Sequence, residues 1–249
     1  MIFTSLVFFL AAIVHGIAGF GFAQVSMGLL PLFRSAGPAS VIFSMVAIVA
    51  NARVLWSVRE YFEWKDWIIP VAGLAAGMPL GIYYFQQFGE DQFRIFIGAT
   101  LLLAVALLII MRQLSFVRNW IEEAGLKPGW TWGVTAGFLA GILGGAIAMP
   151  GPPMIIYGTF MVGADLWKGR RMKAVFTAFF GTVQLYRLAS LLIAGSVTAP
   201  LMAEAVLGLP ALFLGAWLGI LIFRYIPQKI FRWLVLAMLA ANALILLTG

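Results

Sequence analysis

Four side chains set inside apolar stretches could bind an anion, and they come as two similar pairs. Segment 37–58 carries Ser44, Asn51 and Arg53, while segment 172–194 carries Thr177, Gln184, Tyr186 and Arg187. Laid over each other, Ser44 falls opposite Thr177, Asn51 opposite Gln184, and Arg53 one residue from the place of Arg187. Each half thus offers one amide and one guanidinium. A guanidinium is permanently charged and presents a planar fork of donors suited to carboxylate, phosphate or sulfonate oxygens. Neither segment holds an acidic residue to pair with it, which leaves a bound anion as a candidate partner. Snorkelling to headgroups competes for Arg53, near the expected cytoplasmic end of its segment, whereas Arg187 lies deeper and is favoured for function.

Each pair follows a glycine-rich segment. Gly16-Ile17-Ala18-Gly19-Phe20-Gly21-Phe22-Ala23 echoes Gly141-Ile142-Leu143-Gly144-Gly145-Ala146-Ile147-Ala148. Gly19 and Gly21 in the first, and Gly144 and Gly145 in the second, permit a sharp turn and close backbone approach. Met149-Pro150-Gly151-Pro152-Pro153 adds a second break, because prolines lack N–H donors and cannot sit deep within a regular helix. Half-helices that begin at such breaks aim free N–H groups and positive dipole ends at the bilayer centre, where an anion could sit. Close packing of helices is the competing reading for any glycine motif. It is preferred for Gly77-x-x-x-Gly81 and for its repeat Gly215-x-x-x-Gly219. Gln24 and Ser26, just past the first break, could donate to an oxyanion, whereas their counterparts Met149 and Gly151 could not; Met149 joins the expected site by its place at the second break. His15 is a candidate proton-linked gate, with a structural histidine as the alternative. Glu204 is expected as a solvated carboxylate near the outer surface, and the aromatics as lipid-facing or interfacial.

The elements that must position these groups are membrane helices. A chain that is 63% hydrophobic and only 10% charged, with mean hydropathy +1.03, cannot hide its apolar surface in one water-soluble core. Apolar runs near 20 residues, without the strict alternation of barrel strands, indicate an all-α polytopic protein. The runs are 2–33, 37–58, 66–88, 91–112, 130–161, 172–194, 198–224 and 227–248. Net charge +7 would suggest nucleic acid in a soluble domain, but most Lys and Arg lie in short connections and read as topology. With no Cys and one His, disulfides, thiolate chemistry and a His-rich metal cluster are excluded. The first run continues for about thirty residues without a small-residue cleavage site, so it reads as mature structure and not as a signal peptide.

Loop charge sets the drawing. Arg59 and Lys65; Arg112, Arg118 and Lys127; Lys168, Arg170, Arg171 and Lys173; and Arg224, Lys229 and Arg232 mark four connections as cytoplasmic, while 195–203 has no basic residue. Segment 130–161 must then begin and end on one side, as a re-entrant hairpin or two short crossings. The same drawing for 2–33 places its ends outside, with Arg34 and Arg94 as exceptions on the outer face. The expected architecture is two inverted repeats, 1–112 and 130–249, each a glycine-broken hairpin plus three transmembrane helices. Residues 113–129 form a linker, with Ser115–Leu126 expected as an interfacial helix carrying Trp120 at headgroup depth. A parallel repeat of eight simple crossings is the alternative.

The twin segments, His15-Gly16-Ile17-Ala18-Gly19-Phe20-Gly21-Phe22 and Ala140-Gly141-Ile142-Leu143-Gly144-Gly145 with Pro150 after it, resemble those of the TauE/SafE family of presumed sulfite and organosulfonate exporters. The resemblance covers essentially the entire chain and implies a bacterial inner-membrane transporter of small sulfur oxyanions or sulfonates, usually outward. The second segment reads Gly144-Gly145-Ala146 where many members continue with further glycines, which leaves the substrate open. The expected partners are such an anion and the lipid bilayer, with a homodimer open and no cofactor. No phosphate-binding loop or nucleotide domain supplies ATP, so a secondary transporter is expected. An anion channel or an importer is the alternative. An enzyme is not expected, because a nucleophile–base pair or metal ligand set is missing.

Overall fold

The computed structural model describes residues 2–18, 21–110, 129–222, 237 and 240–247, and every regular element among them is helical. In chain order these are α1 (Ile2–Ala18), α2 (Phe22–Leu29), α3 (Ala36–Val58), α4 (Trp64–Gln87), α5 (Glu90–Ile110), α6 (Trp130–Ile147), α7 (Gly151–Gly163), α8 (Gly169–Ile193) and α9 (Ala199–Ile222). Helical residues 240–247 follow. Among the described residues, five helices are long and apolar enough to cross a membrane: those spanning Ala36–Tyr61, Trp64–Gln87, Trp130–Ile147, Gly169–Ile193 and Ala199–Gly219. The linker helix at 115–126, Gly19, and the basic turn at 224–232 lie outside the described residues.

Both glycine-broken segments are hairpins. Phe3 near the start of α1 stacks on Phe33 beyond α2, with ring centroids 5.2 Å apart. In the second half Trp132 at the start of α6 meets Phe160 of α7 at 5.0 Å. Each segment therefore returns to the side it came from. The first reverses at Gly21, whose φ of 96° is left-handed backbone that a side chain would strain. The second reverses at Ala148, whose φ of 60° is unusual for a non-glycine residue. The Ala148 N–H bonds the Gly144 carbonyl and the Met149 N–H bonds that of Leu143, which closes the end of α6. The prolines of the second break do not interrupt a helix: Pro152 and Pro153 open α7, at first-turn positions whose N–H would have no helical partner.

The repeated glycine pairs do pack helices. A Cβ on Gly77 would lie 2.1 Å from the Phe138 carbonyl oxygen, and on Gly81 2.4 Å from that of Ile142. In the other half a Cβ on Gly215 would lie 2.3 Å from the Phe9 carbonyl oxygen, and on Gly219 2.5 Å from that of Ile13. Backbones this close leave no room for any side chain. Phe9 and Phe138 thus hold equivalent places, as do Ile13 and Ile142. Gly16 is matched to Gly145 and not to Gly141, which corrects the sequence alignment by one helical turn.

These contacts also fix directions. Partner positions climb together along α4 with α6 and along α1 with α9, so both pairs run parallel. Along α3 and α8 they run oppositely, since Asn51 meets Gly181 while Ser40 meets Arg187. Each hairpin's first arm lies on a helix of the other half, and the halves are interleaved. One end of the bundle gathers Thr4, Arg34 and Glu204, where Glu204 accepts from Thr4 and pairs with Arg34 at 2.8 Å instead of standing solvated. The other end gathers Asp66 with Arg171 and Tyr61 with Arg170.

Candidate functional site

The two hairpin tips meet, and between them lies a cavity of about 30 Å³. By a measure in which one water needs roughly 10–15 Å³, it holds a few waters or one small ion. Its wall joins both halves: His15, Gly21, Phe22 and Gln24 from the first hairpin, Pro150 and Gly151 from the second, and Asn51 and Gln184 from α3 and α8. No charged side chain stands among the lining residues. Polarity comes from amides, one imidazole and backbone. The first three N–H groups of α2, from Phe22, Ala23 and Gln24, have no partner within the helix, and Gly151 adds one from α7. Both helix N-termini open on the cavity, so positive dipole ends converge there.

The amides are only partly satisfied. Gln184 Nε2 donates to the Ala148 carbonyl at 3.2 Å, leaving Gln184 Oε1 without a partner. Asn51 Nδ2 donates to the Ala47 carbonyl at 2.8 Å. His15 is 5% exposed, its ring lies 5.7 Å from that of Phe22, and neither ring nitrogen has a partner among the described residues. Unpaired polar atoms at such depth are costly unless a ligand or water completes them.

Arg187 stands behind this wall. It is fully buried at 0% exposure, and its guanidinium is spent on protein oxygens. Nε donates to the Gly145 carbonyl at 3.0 Å, and the terminal nitrogens donate to the Ser40 carbonyl at 3.1 Å, Ser44 Oγ at 2.8 Å and Ser40 Oγ at 3.1 Å. Its face lies 4.7 Å from the Phe85 ring centroid. The arginine thus holds α8 to α3 and caps the carbonyl end of α6. That capping matters electrically, because a helix C-terminus aimed at the tip would repel an anion. With Arg187 and Gln184 on the last carbonyls of the α6 hairpin arm, the N-terminal dipoles are left to set the sign of the cavity.

The model of the family described as Sulfite exporter TauE/SafE matches residues 4–246. The chain belongs to the TauE/SafE family. No curated protein and no solved structure matches it. TauE/SafE membership, together with the five long apolar helices, makes this a multi-pass membrane protein of a family that transports sulfur-containing anions.

Of the residues singled out in the sequence, this TauE/SafE chain brings His15, Gly21, Gln24, Asn51 and Gln184 to one cavity. Arg53 is exposed on α3. Two residues along a helix is a rotation of about 200°, so the face that shows Asn51 to the cavity turns Arg53 away. Gly144 packs against α8, where a Cβ would lie 2.6 Å from Val183 Cγ1, and Gly145 packs against Gly81 at 2.9 Å. Met149 is buried outside the lining. Phe22, Phe43 and Phe180 line the cavity and are not lipid-facing. A signal for Phe180 was present, since it lies one turn before Gln184 on the same helix face. Nothing local distinguishes Phe43 from the other phenylalanines.

Proposed function

We propose that the chain is a secondary transporter that exports a small sulfur oxyanion, sulfite or an organosulfonate, across the inner membrane of a bacterium. The observation that carries this reading is the cavity where two hairpin tips turn their helix N-termini toward each other, lined by neutral donors. Gln24, Asn51 and Gln184 orient the oxyanion, the α2 N–H groups meet its oxygens, and His15 is the group that could follow its proton. Arg187 contributes its charge from behind the wall, since no carboxylate pairs with it among the described residues. The two halves, 1–112 and 130–249, act as inverted repeats joined by 113–129 and rock about this site. The antiparallel course of α3 and α8 supports that relation, because image helices run oppositely only about an axis in the membrane plane. Outward movement of an anion runs down an inside-negative potential, worth about 2.3 kcal/mol per charge per 100 mV, and needs no coupled ion. A cavity the size of one ion favours a carrier over a channel.

Purified protein in liposomes tests this directly. Sulfite or methanesulfonate loaded inside should leave faster than from empty-lipid controls, and faster still with a potential negative inside. Flux equal to the controls for both anions overturns the reading, and discrete unitary currents in a planar bilayer would replace the carrier by a channel.

A further inference from the structure

A second cation lies on the helix that carries Gln184. Lys173 lies in the first turns of α8, at the basic end of that helix, and is half-buried. Its neighbours Arg170 and Arg171 are engaged by Tyr61 and Asp66, but no carboxylate pairs with Lys173 among the described residues. A half-buried ammonium without a counter-ion is costly unless an anion or water meets it.

Its register points inward. Lys173, Thr177, Phe180 and Gln184 follow one another at four-, three- and four-residue steps, which is a single stripe along α8. Phe180 and Gln184 line the cavity and Thr177 is 1% exposed, so the stripe faces the bundle. Seven residues of helix separate Lys173 from Phe180, about 10 Å. The equivalent stripe on α3 has Ser40 at the place of Lys173, and that serine is bonded by Arg187. The two stripes therefore differ: Arg187 bonds the serine on α3, whereas the ammonium on α8 has no carboxylate partner among the described residues.

We propose that Lys173 is the recruiting residue for the transported oxyanion: it holds the anion on the α8 stripe at the end of the bundle marked by Asp66 and Arg171, and delivers it to Gln184. This rests on the oxyanion reading above. An ammonium suits the task better than a guanidinium, because a compact point charge with three rotatable donors releases a ligand without breaking a bidentate pair.

The test compares wild type, Lys173→Gln and Lys173→Arg in liposomes, measuring initial sulfite flux against concentration. The expected result is a half-saturating concentration roughly ten-fold higher in Lys173→Gln, with the maximal rate kept and Lys173→Arg close to wild type. Raising potassium gluconate should weaken half-saturation in wild type and much less in Lys173→Gln. A structural lysine would instead lower the maximal rate and the melting temperature, and that outcome overturns the proposal, as does wild-type half-saturation in Lys173→Gln. Absence of both sulfite and methanesulfonate flux in wild type itself overturns the transporter reading and this inference with it.

Discussion

Arg187 and Gln184 lie one helical turn apart on α8 yet do different work. The guanidinium makes four hydrogen bonds to protein oxygens, none of them from a lining residue, whereas the amide spends one N–H on the Ala148 carbonyl and has a second to donate. Removing a buried charged donor of this kind costs about 3 kcal/mol or more, because each abandoned acceptor is left without water. Arg187→Ala should therefore lower the thermal midpoint in detergent sharply, while Gln184→Ala, which abandons one acceptor, lowers it much less and weakens sulfite binding about ten-fold, or 1.4 kcal/mol. Equal midpoints in the two variants, read by scanning fluorimetry, would refute the division. The residue types were legible in the sequence, since an amide and a guanidinium deep in an apolar run must have partners. Which partner was not: the carbonyl of Gly145 and the hydroxyls of Ser40 and Ser44 come from other helices, and only tertiary packing brings them to the guanidinium. Arg53 shows the same limit, since a linear spacing near that of Arg187 says nothing until the helix face is counted.

At the scale of the element, the hairpins and the glycine stripes were readable because both are punctuated locally. Glycine and proline clusters mark the reversals, and the apolar runs place helix ends within about three residues of those observed, the usual margin for helix boundaries. What was hidden is which helix each stripe meets, because the partner lies in the other half of the chain. Gly81 on Ile142 and Gly219 on Ile13 are one such matched pair, with Cβ positions 2.4 and 2.5 Å from the facing carbonyl oxygens. Overpacking such a contact costs more than the usual 1–3 kcal/mol, since backbone cannot swing aside as a side chain can. Gly81→Leu and Gly219→Leu should each abolish a monodisperse peak on size exclusion in detergent. Gly89→Ala, with nothing within 4 Å of its Cβ position, should leave the profile unchanged. A normal profile for either leucine variant would show that these backbones are not in contact.

For the whole molecule, orientation is the property most open to direct test. The two basic connections among the described residues, near 59–65 and 168–173, meet at the end that holds Asp66 and Arg171, and the two arginines expected on the opposite face are ion-paired. Arg34 pairs with Glu204, and Arg94 lies 3.5 Å from Glu90 and bonds the Pro31 carbonyl. The chain has no native cysteine, so single-cysteine labelling has no background. With a membrane-impermeant maleimide on intact cells, Val197→Cys should label at once, whereas Phe62→Cys and Gly169→Cys should label only after permeabilisation. Labelling of 169 and 197 from one side, or of 62 and 169 from opposite sides, would rule out the inverted arrangement.

The exchange of partners between the halves also sets a schedule for synthesis. α1 is complete by residue 18, but the glycines that seat it belong to α9 and appear about 200 residues later, roughly ten to forty seconds at common elongation rates. α6, by contrast, emerges after α4 and finds its seat already made. The first hairpin must therefore wait in the bilayer beside lipid or an assembly factor, and a nascent chain stopped before α9 would carry an exposed α1 that marks it as unfinished.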